Sequence, residues 1–445
     1  MFSSFADRLA GGLKVSGSII VSGVRTPIGK LGGGLASLSA VELCGRAISE
    51  AMRRISLNPE DVDFVAIGQV LQAGQGQNPA RQAAVLAGLP MTVQAVTVNK
   101  VCLSGLEAIH LADLLISAGE ADLVIAGGME SMSRAPYLLE GARTGLGFGH
   151  ASLRDAMVVD GLTDAFLDLA MGAATDRDAA AAAIGREAQD AVALRSHRRA
   201  SVAIKDGRLA DEIVPIAAPQ RRGEDVLVTD DEGVRPGTTA AALATLKPAF
   251  GDDGTITAGN ASQLSDGAAV VVVASRRAAE KLGTAPLAEV VAFGRAAGPS
   301  LLVQPAHAIV DALGRCGLKL SDRDVIEVNG AFAAVVVASA HELGVPVEML
   351  NPNGGARSPL VTRSVCPGAG SHLRSRSRSS SATAAAAPGW RRCAGAEGSA
   401  TRSFFEPGCE YGADPNMPGP GPPALRPTST RARVPFRAAA TRSIL

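Results

Sequence analysis

The chain predicts an α/β fold. Apolar, strand-like runs alternate with segments of helical spacing along most of its length, and turn signals rich in Gly, Pro and Asn stand between them. That alternation implies a sheet covered by helices. With 445 residues, 47% of them hydrophobic and only 19% charged, there is room for two packed domains or one large two-lobed one. Fifty glycines against 3% aromatics predict a core of small, closely packed elements.

The elements follow in order. SIIVSGVRTPIG begins as an apolar run and ends at Pro27-Ile28-Gly29, a strand and then a turn. SAVELCGRAISEAMRRI carries apolar residues at helical spacing (Val41, Cys44, Ala47, Ile48, Met52, Ile55), with Ser39 as its N-cap. DVDFVAIGQV is a strand, and NPARQAAVLAGLP a short helix ended by Gly88 and Pro90. QAVTVNKV is a strand, CLSGLEAIHLADLLISAG a helix, and ADLVIAGGMES a strand running into a Gly turn. Residues 137–245 break the rhythm with long polar or Gly-rich loops around helices such as REAQDAVALRSHRRASVAIKDG, and predict an inserted region. Alternation resumes with TITAGNASQLSDGAAVVVVASRRAAEKLG, LAEVVAFGRA, PAHAIVDALGRCG and DVIEVNGAFAAVVVASAHELG. VTVNKVCLSGLEAIHLA and IEVNGAFAAVVVASAHE both run strand, Val-Asn, turn, helix. They are either equivalent positions in two related halves or two unrelated units of the same kind.

The pattern stops inside NPNGGARSPLVTRSV, residues 351–365. NPNGGA is a tight turn of the kind that lets backbone approach a ligand. Beyond Ala356 the chain is a different material. Residues 356–445 hold 13 Arg, no Lys and four acidic residues, a balance of +9, and 11 of the 25 prolines. The zero net charge of the whole therefore hides a body of −9, and neither suits a nucleic-acid binder as a whole. LRSRSRSSSATAAAAPG and PNMPGPGPPALRPTSTRARVPFR cannot bury enough apolar surface to offset chain entropy, so the tail is expected to be disordered. The expected organisation is 15–136 with 246–287 as a first half, 137–245 as an insertion, 288–355 as an incomplete second half, and 356–445 as tail.

The six cysteines show no CxxC pair, so a reduced, cytoplasmic setting is expected rather than a disulfide framework. No apolar run of about 18 residues is evident, and no membrane helix is expected. MFSSFADRLAGGLK has no signal-peptide apolar region. No metal-ligand spacing, GxGxxG or phosphate loop is present, so neither a metal nor a dinucleotide cofactor is expected.

Three stretches could carry chemistry. In NKVCLSG, Cys102 stands between a strand and a helix, where free N–H groups and the positive dipole end favour a thiolate. It is either a nucleophile or a buried structural cysteine. In TAGNASQLSDGAA, Asn260 or Ser262 could bond a ligand amide, or form an ordinary turn. In VNGAFA, Asn329 could hold a water or substrate oxygen, or be a turn residue. His110, His197, His307 and His341 look like packing or surface residues.

These stretches together resemble the thiolase family, of the acetyl-CoA acetyltransferase type. SGVRTPIGKLGGGLASLSAVEL, VTVNKVCLSGLEAI, IAGGMESMSRAPYLL, MVVDGLTDAF, REAQDAVALRSHRRA, LKPAFGDDGTITAGNASQLSDGAA, VNGAFA and NPNGGA carry the resemblance between about Gly17 and Ala356. It implies a layered αβαβα fold of two duplicated halves, the second truncated here, and a homodimer or homotetramer. It implies acetyl-CoA and 3-oxoacyl-CoA as substrates, no cofactor, and a place in fatty acid metabolism. In its terms Cys102 takes the acyl group as a thioester. Asn329 holds a water in an oxyanion hole, Arg235, Phe250 and Ser262 line the CoA and pantetheine site, and Met171 lies beside the acyl pocket.

The departures bear on activity. Ala170 stands where the family has His, and Asn329-Gly330-Ala331-Phe332 replaces Asn-Glu-Ala-Phe. Leu360-Val361-Thr362 stand where the resemblance implies Gly-His-Pro, and Arg391 stands near the position of the family's second Cys. Cys366 and Cys393 imitate that Cys out of place. The expectation is a severely impaired acyltransferase whose tail has the look of an out-of-frame translation. The alternatives are a non-catalytic acyl-CoA binder or a product without function.

Overall fold

The computed structural model describes residues 17–323 and 325–354, together with the backbone of 392–399. The first strand, β1 (Ile19–Arg25), is buried along its whole length, and β2 (Gly29–Lys30) follows the Pro27 turn. Helix α1 (Ala40–Arg53) starts as expected at Ser39. Ser39 Oγ accepts the Glu42 N–H, and the Glu42 carboxylate accepts the Ser39 N–H, a reciprocal cap. The alternation continues through β3 (Phe64–Gly68), α2 (Pro79–Leu86), β4 (Gln94–Val98), α3 (Ser104–Ala118) and β5 (Leu123–Ser131).

In residues 137–245, β6 (Tyr137–Leu138) pairs with β7 (Arg154–Asp155), and β8 (Thr163–Asp164) with β9 (Leu169–Ala170). Helices α4 (Met171–Ala181) and α5 (Arg186–Lys205) follow. Then β10 (Ile216–Ala218) pairs with β11 (Val226–Val228), ahead of the short α6 (Ala240–Ala244). None of these strands joins the main sheet. The chain returns to that sheet with β12 (Ser265–Ala274), α7 (Arg276–Leu282) and β13 (Ala288–Ala297), and continues through α8 (Gln304–Cys316), α9 (Ala333–Leu343) and β14 (Arg392–Ser399).

The main sheet runs β14-β13-β1-β12-β5-β3-β4, with β2 also on β12. β3 is parallel to β4 and β5, while β12 is antiparallel to β5 and β1. Alternate residues face opposite sides, as the strand period requires. Ile125, Val270 and Val272 meet α1 and α2 in one apolar cluster, and Val124, Val271 and Val273 meet α3 in another. The sheet is thus covered on both faces. A third cluster forms around α9, which is apolar on every side and buried over most of its length, and takes in Ala179 of α4, Val192 of α5 and Ile326.

Four expectations need correction. The glycines of ADLVIAGGMES lie inside β5, not in a turn. A Cβ on Gly127 would stand 2.2 Å from Ala269 O, so the residue is there to let β12 come close. The expected strand in DVIEV is reduced to a single bridge between Ile326 and Leu350. The window Val101–Ala118 is long and apolar enough to cross a membrane, although the sequence pattern showed no such run. Helix α3 within it packs against β3 and β5, which accounts for its apolar character. Lastly, β14 lies in the stretch expected to be disordered and pairs in parallel with β13. An edge strand presents unpaired N–H and C=O groups, and RCAGAEGS has no proline to interrupt a ladder. The other readings of 356–445, among them Leu360 to Thr362, Cys366 and the truncation itself, fall outside the described residues.

Candidate active site

Between β4 and α3 the chain makes a tight bend that carries Cys102. Val101, just before it, has φ +49°, a left-handed conformation that costs a β-branched residue on the order of 1–3 kcal/mol and must be held in place. Asn99 Oδ1 accepts the Val101 N–H at 2.9 Å. The Ser104 hydroxyl donates to Val101 O at 2.6 Å and accepts the Lys100 N–H at 2.9 Å. Cys102 is half-buried, one turn residue ahead of α3, whose N-terminus has no side-chain cap. The helix start rests on the end of β3. A Cβ on Gly68 would lie 2.3 Å from the Ser104 carbonyl carbon and 2.5 Å from Gly105 N. Cys44 is the contrast, a fully buried thiol whose pKa burial pushes up. Cys44, Cys102 and Cys316 are in no disulfide.

A second group of residues assembles around 329–333. The Ser262 N–H and hydroxyl both donate to Ala331 O, at 2.9 and 3.1 Å. Ala261 bridges Phe332, and the Ala333 N–H donates to Asn260 O at 2.8 Å. Phe250 meets Phe332 edge to face, with centroids 6.1 Å apart. Met171 packs in the α9 cluster that contains Phe332, and a Cβ on its neighbour Gly172 would stand 2.1 Å from the Phe250 ring. Asn329 is half-buried, and its side chain forms no hydrogen bond among the described residues. Asn260, read as a candidate ligand residue, also braces the loop internally. Its Oδ1 accepts the Thr257 N–H at 2.8 Å, and its Nδ2 donates to Asp190 Oδ1 at 2.9 Å.

A cavity of about 300 Å³ opens between α5 and this loop, with Arg235, Ser262, His197, Arg199 and Gly330 among its lining. Of the residues singled out from sequence, Arg235, Asn260 and Ser262 line it, while Cys102, Asn329, Met171 and Phe250 do not. Asn329 is the direct neighbour of the lining residue Gly330. His197 is a residue the sequence reading passed over. Its Nδ1 accepts the Arg235 N–H at 3.3 Å, and burial, then the nearby Arg235 charge, hold its pKa below the ordinary value. A neutral imidazole and guanidinium groups on one wall suit an anionic, hydrogen-bonding ligand.

The described part of the NPNGGA turn, residues 351–354, packs against α5. Gly354, at φ +83°, brings its backbone against α5, where a Cβ would lie 2.4 Å from Ser196 O. Asn351 clamps the strand-like segment before Asn329. Its Oδ1 accepts the Val328 N–H at 2.8 Å and its Nδ2 donates to Val328 O at 2.9 Å. Two buried acids stand at the facing ends of β5 and β12. Burial pushes Glu130 up to about 7 and raises Asp266 as well. Neither acid carried a signal in the sequence beyond its place in GGMES and LSDG.

The family model "Thiolase, N-terminal domain" matches residues 18–277, and "Thiolase, C-terminal domain" matches 284–359. The chain is 51% identical over 341 residues to a probable acetyl-CoA acetyltransferase of Mycobacterium leprae, covering 76% of this chain and 87% of the relative. It is 48% identical over 340 residues to an acetyl-CoA acetyltransferase of Pseudomonas aeruginosa, covering 76% and 86%. A crystal structure of the Bacillus anthracis acetyl-CoA acetyltransferase superimposes with a TM-score of 0.78 at 38% identity, covering 81% of this chain and 93% of that one. Matched over most of its length in both family domains, with a cysteine set at the mouth of an uncapped helix, the chain belongs to the thiolase family of acyltransferases.

Proposed function

We propose that the chain is an acetyl-CoA acetyltransferase by descent and site layout, which takes an acyl group from acetyl-CoA or a 3-oxoacyl-CoA as a thioester on Cys102. The placement of Cys102 beside the uncapped start of α3, at the end of β4, carries this reading. With acetyl-CoA the thiolate attacks the thioester carbonyl, a tetrahedral oxyanion forms, and CoA thiolate leaves; with a 3-oxoacyl-CoA it attacks the 3-oxo carbon, the C2–C3 bond breaks, and acetyl-CoA leaves once its C2 takes up a proton. Amides at the helix start and a water on Asn329 stabilise the oxyanion. Such donors are worth roughly 3–4 kcal/mol each. Met171 lies on the acyl side, and Arg235, Phe250 and Ser262 hold the pantetheine and CoA.

Both half-reactions are impaired in this reading, acyl transfer onto Cys102 for want of its activating His and the Claisen step for want of its base. Leu360-Val361-Thr362 and Arg391 occupy the places where the sequence resemblance sets the activating His and the second Cys. Loss of a general base removes roughly 10²–10⁴ in rate. The Claisen step, which needs a proton taken from the second acetyl-CoA, is the one most affected. The acyl-CoA-binding remnant is the second reading. The cavity favours it, since Arg235 and Ser262 line that cavity independently of residues beyond 354. A homodimer or homotetramer working in the cytoplasm on fatty acid metabolites completes the proposal.

Incubation with acetyl-CoA followed by mass spectrometry of the Cys102 peptide tests it. The expected result is an acetyl adduct, absent in Cys102→Ala, with little acetoacetyl-CoA released. CoA binding without an adduct supports the remnant reading, and turnover at the level of intact relatives removes the impairment.

A further inference from the structure

We propose that Glu130 is a positioning residue for Cys102: its buried carboxylate holds the loop after β3, and that loop holds the bend carrying the thiol through Asn99. The proposal rests on the reading of Cys102 as the acylated residue. Glu130, near the end of β5, is fully buried. Its Oε2 accepts the Val70 N–H at 2.9 Å, and the Leu71 N–H lies 3.3 and 3.4 Å from its two oxygens. Val70 O accepts Asn99 Nδ2 at 3.4 Å, and Asn99 Oδ1 accepts the N–H of Val101, the left-handed residue before Cys102. Gln69 ties the same two segments again through its N–H to Val98 O at 2.9 Å, and its Nε2 braces the loop itself by donating to Leu71 O at 3.2 Å.

The charge arrangement supports a positional role. Burial, and with it the field of Asp266 on β12, disfavours the Glu130 carboxylate, while the N–H groups of Val70, Leu71 and Ser131 favour it. A buried acid beside a second acid works against folding stability. What it does instead is fix two adjacent amides of one loop. A valine at positive φ persists only where its surroundings over-determine it, and this chain of bonds supplies that constraint.

The test uses the full chain and the rate at which iodoacetamide alkylates Cys102, read by mass spectrometry of its peptide. Alkylation is fastest for a thiolate aimed along the helix start. Glu130→Ala and Asn99→Ala are each expected to slow it by about 10-fold or more, the scale on which small misplacements act. Glu130→Gln keeps an acceptor for the Val70 N–H and should restore most of the rate. Because the two residues act in one chain of contacts, Glu130→Ala with Asn99→Ala should be no slower than the slower single variant. Wild-type alkylation in folded Asn99→Ala, or losses that multiply in the double variant, would overturn the proposal. So would a Glu130→Gln rate no better than that of Glu130→Ala. Should Glu130→Ala fail to fold, Asn99→Ala and Glu130→Gln decide it alone. Alkylation needs no acetyl-CoA, so a missing acetyl adduct defeats the reading of Cys102 as the acylated residue, while the alkylation rates separately report whether Glu130 positions its thiol.

Discussion

Cys102 and Cys44 show how far one residue type is governed by placement. Both stand in helical sequence patterns. One is half-buried at a helix start, while the other is sealed in the core, where burial disfavours its thiolate. Glu130 shows the same dependence in its effect on stability. Its ordinary pKa of 4.5 is pushed up to about 7 in the folded chain. Below the ordinary value both folded and unfolded chains hold the proton, and no stability is lost. As pH rises from about 4.5 to 7 the unfolded chain releases a proton that the folded chain keeps, so stability falls, and above about 7 it levels off. The loss amounts to about 3 kcal/mol. Glu130→Gln cannot ionise, so its urea midpoint should gain on wild type between pH 5 and pH 8. An unchanged difference between the two proteins at those pH values would reject the raised pKa.

Among the elements, close approach decides where glycine is needed. Gly294 of β13 lies under α8, and a Cβ there would stand 1.8 Å from Ala308 O. Gly314, within α8 itself, faces open space. Gly294→Ala should therefore destabilise the chain by about 1–3 kcal/mol through overpacking. Gly314→Ala should stabilise it by up to about 1 kcal/mol through helix propensity. Denaturant melts of the two variants check the opposite signs, and two shifts of the same sign would mean that the α8–β13 contact is misplaced. The sequence marked both segments correctly as strand and helix, because hydrophobic periodicity is local. It could not tell these glycines apart, since what each meets lies on another part of the chain.

At the scale of the whole molecule, the inserted residues are tied to the sheet by Arg25. This side chain leaves β1 with 9% of its surface exposed and bonds Glu212 Oε1 at 2.9 Å and Asp231 Oδ1 at 2.6 Å. Backbone bonds from the Arg25 N–H to Glu212 O and from the Val214 N–H to Arg25 O reinforce the contact. The two carboxylates drive the Arg25 pKa further above its ordinary value against the cost of burial. Arg25→Ala removes the buried cation that faces both acids and should cost about 3–5 kcal/mol, measured by urea denaturation. A loss below about 1 kcal/mol would show that this ion pair behaves as an exposed one.

The sequence by itself determined the alternation of strand and helix, the cap at Ser39, the position of Cys102 between β4 and α3, and the membership of the thiolase family. These are carried by neighbours a few residues apart, where side-chain period and turn chemistry act directly. Tertiary structure decided the rest. It placed β14 on β13, set Gly127 within a strand, and gave Asn260 and Gly354 internal bracing roles. It also brought Glu130 to Val70 and Asn351 to Val328, across 60 and 23 residues of chain. Such partners are chosen by three-dimensional packing and by the demand that buried polar groups be satisfied, and no local pattern in the sequence records which distant group will answer that demand.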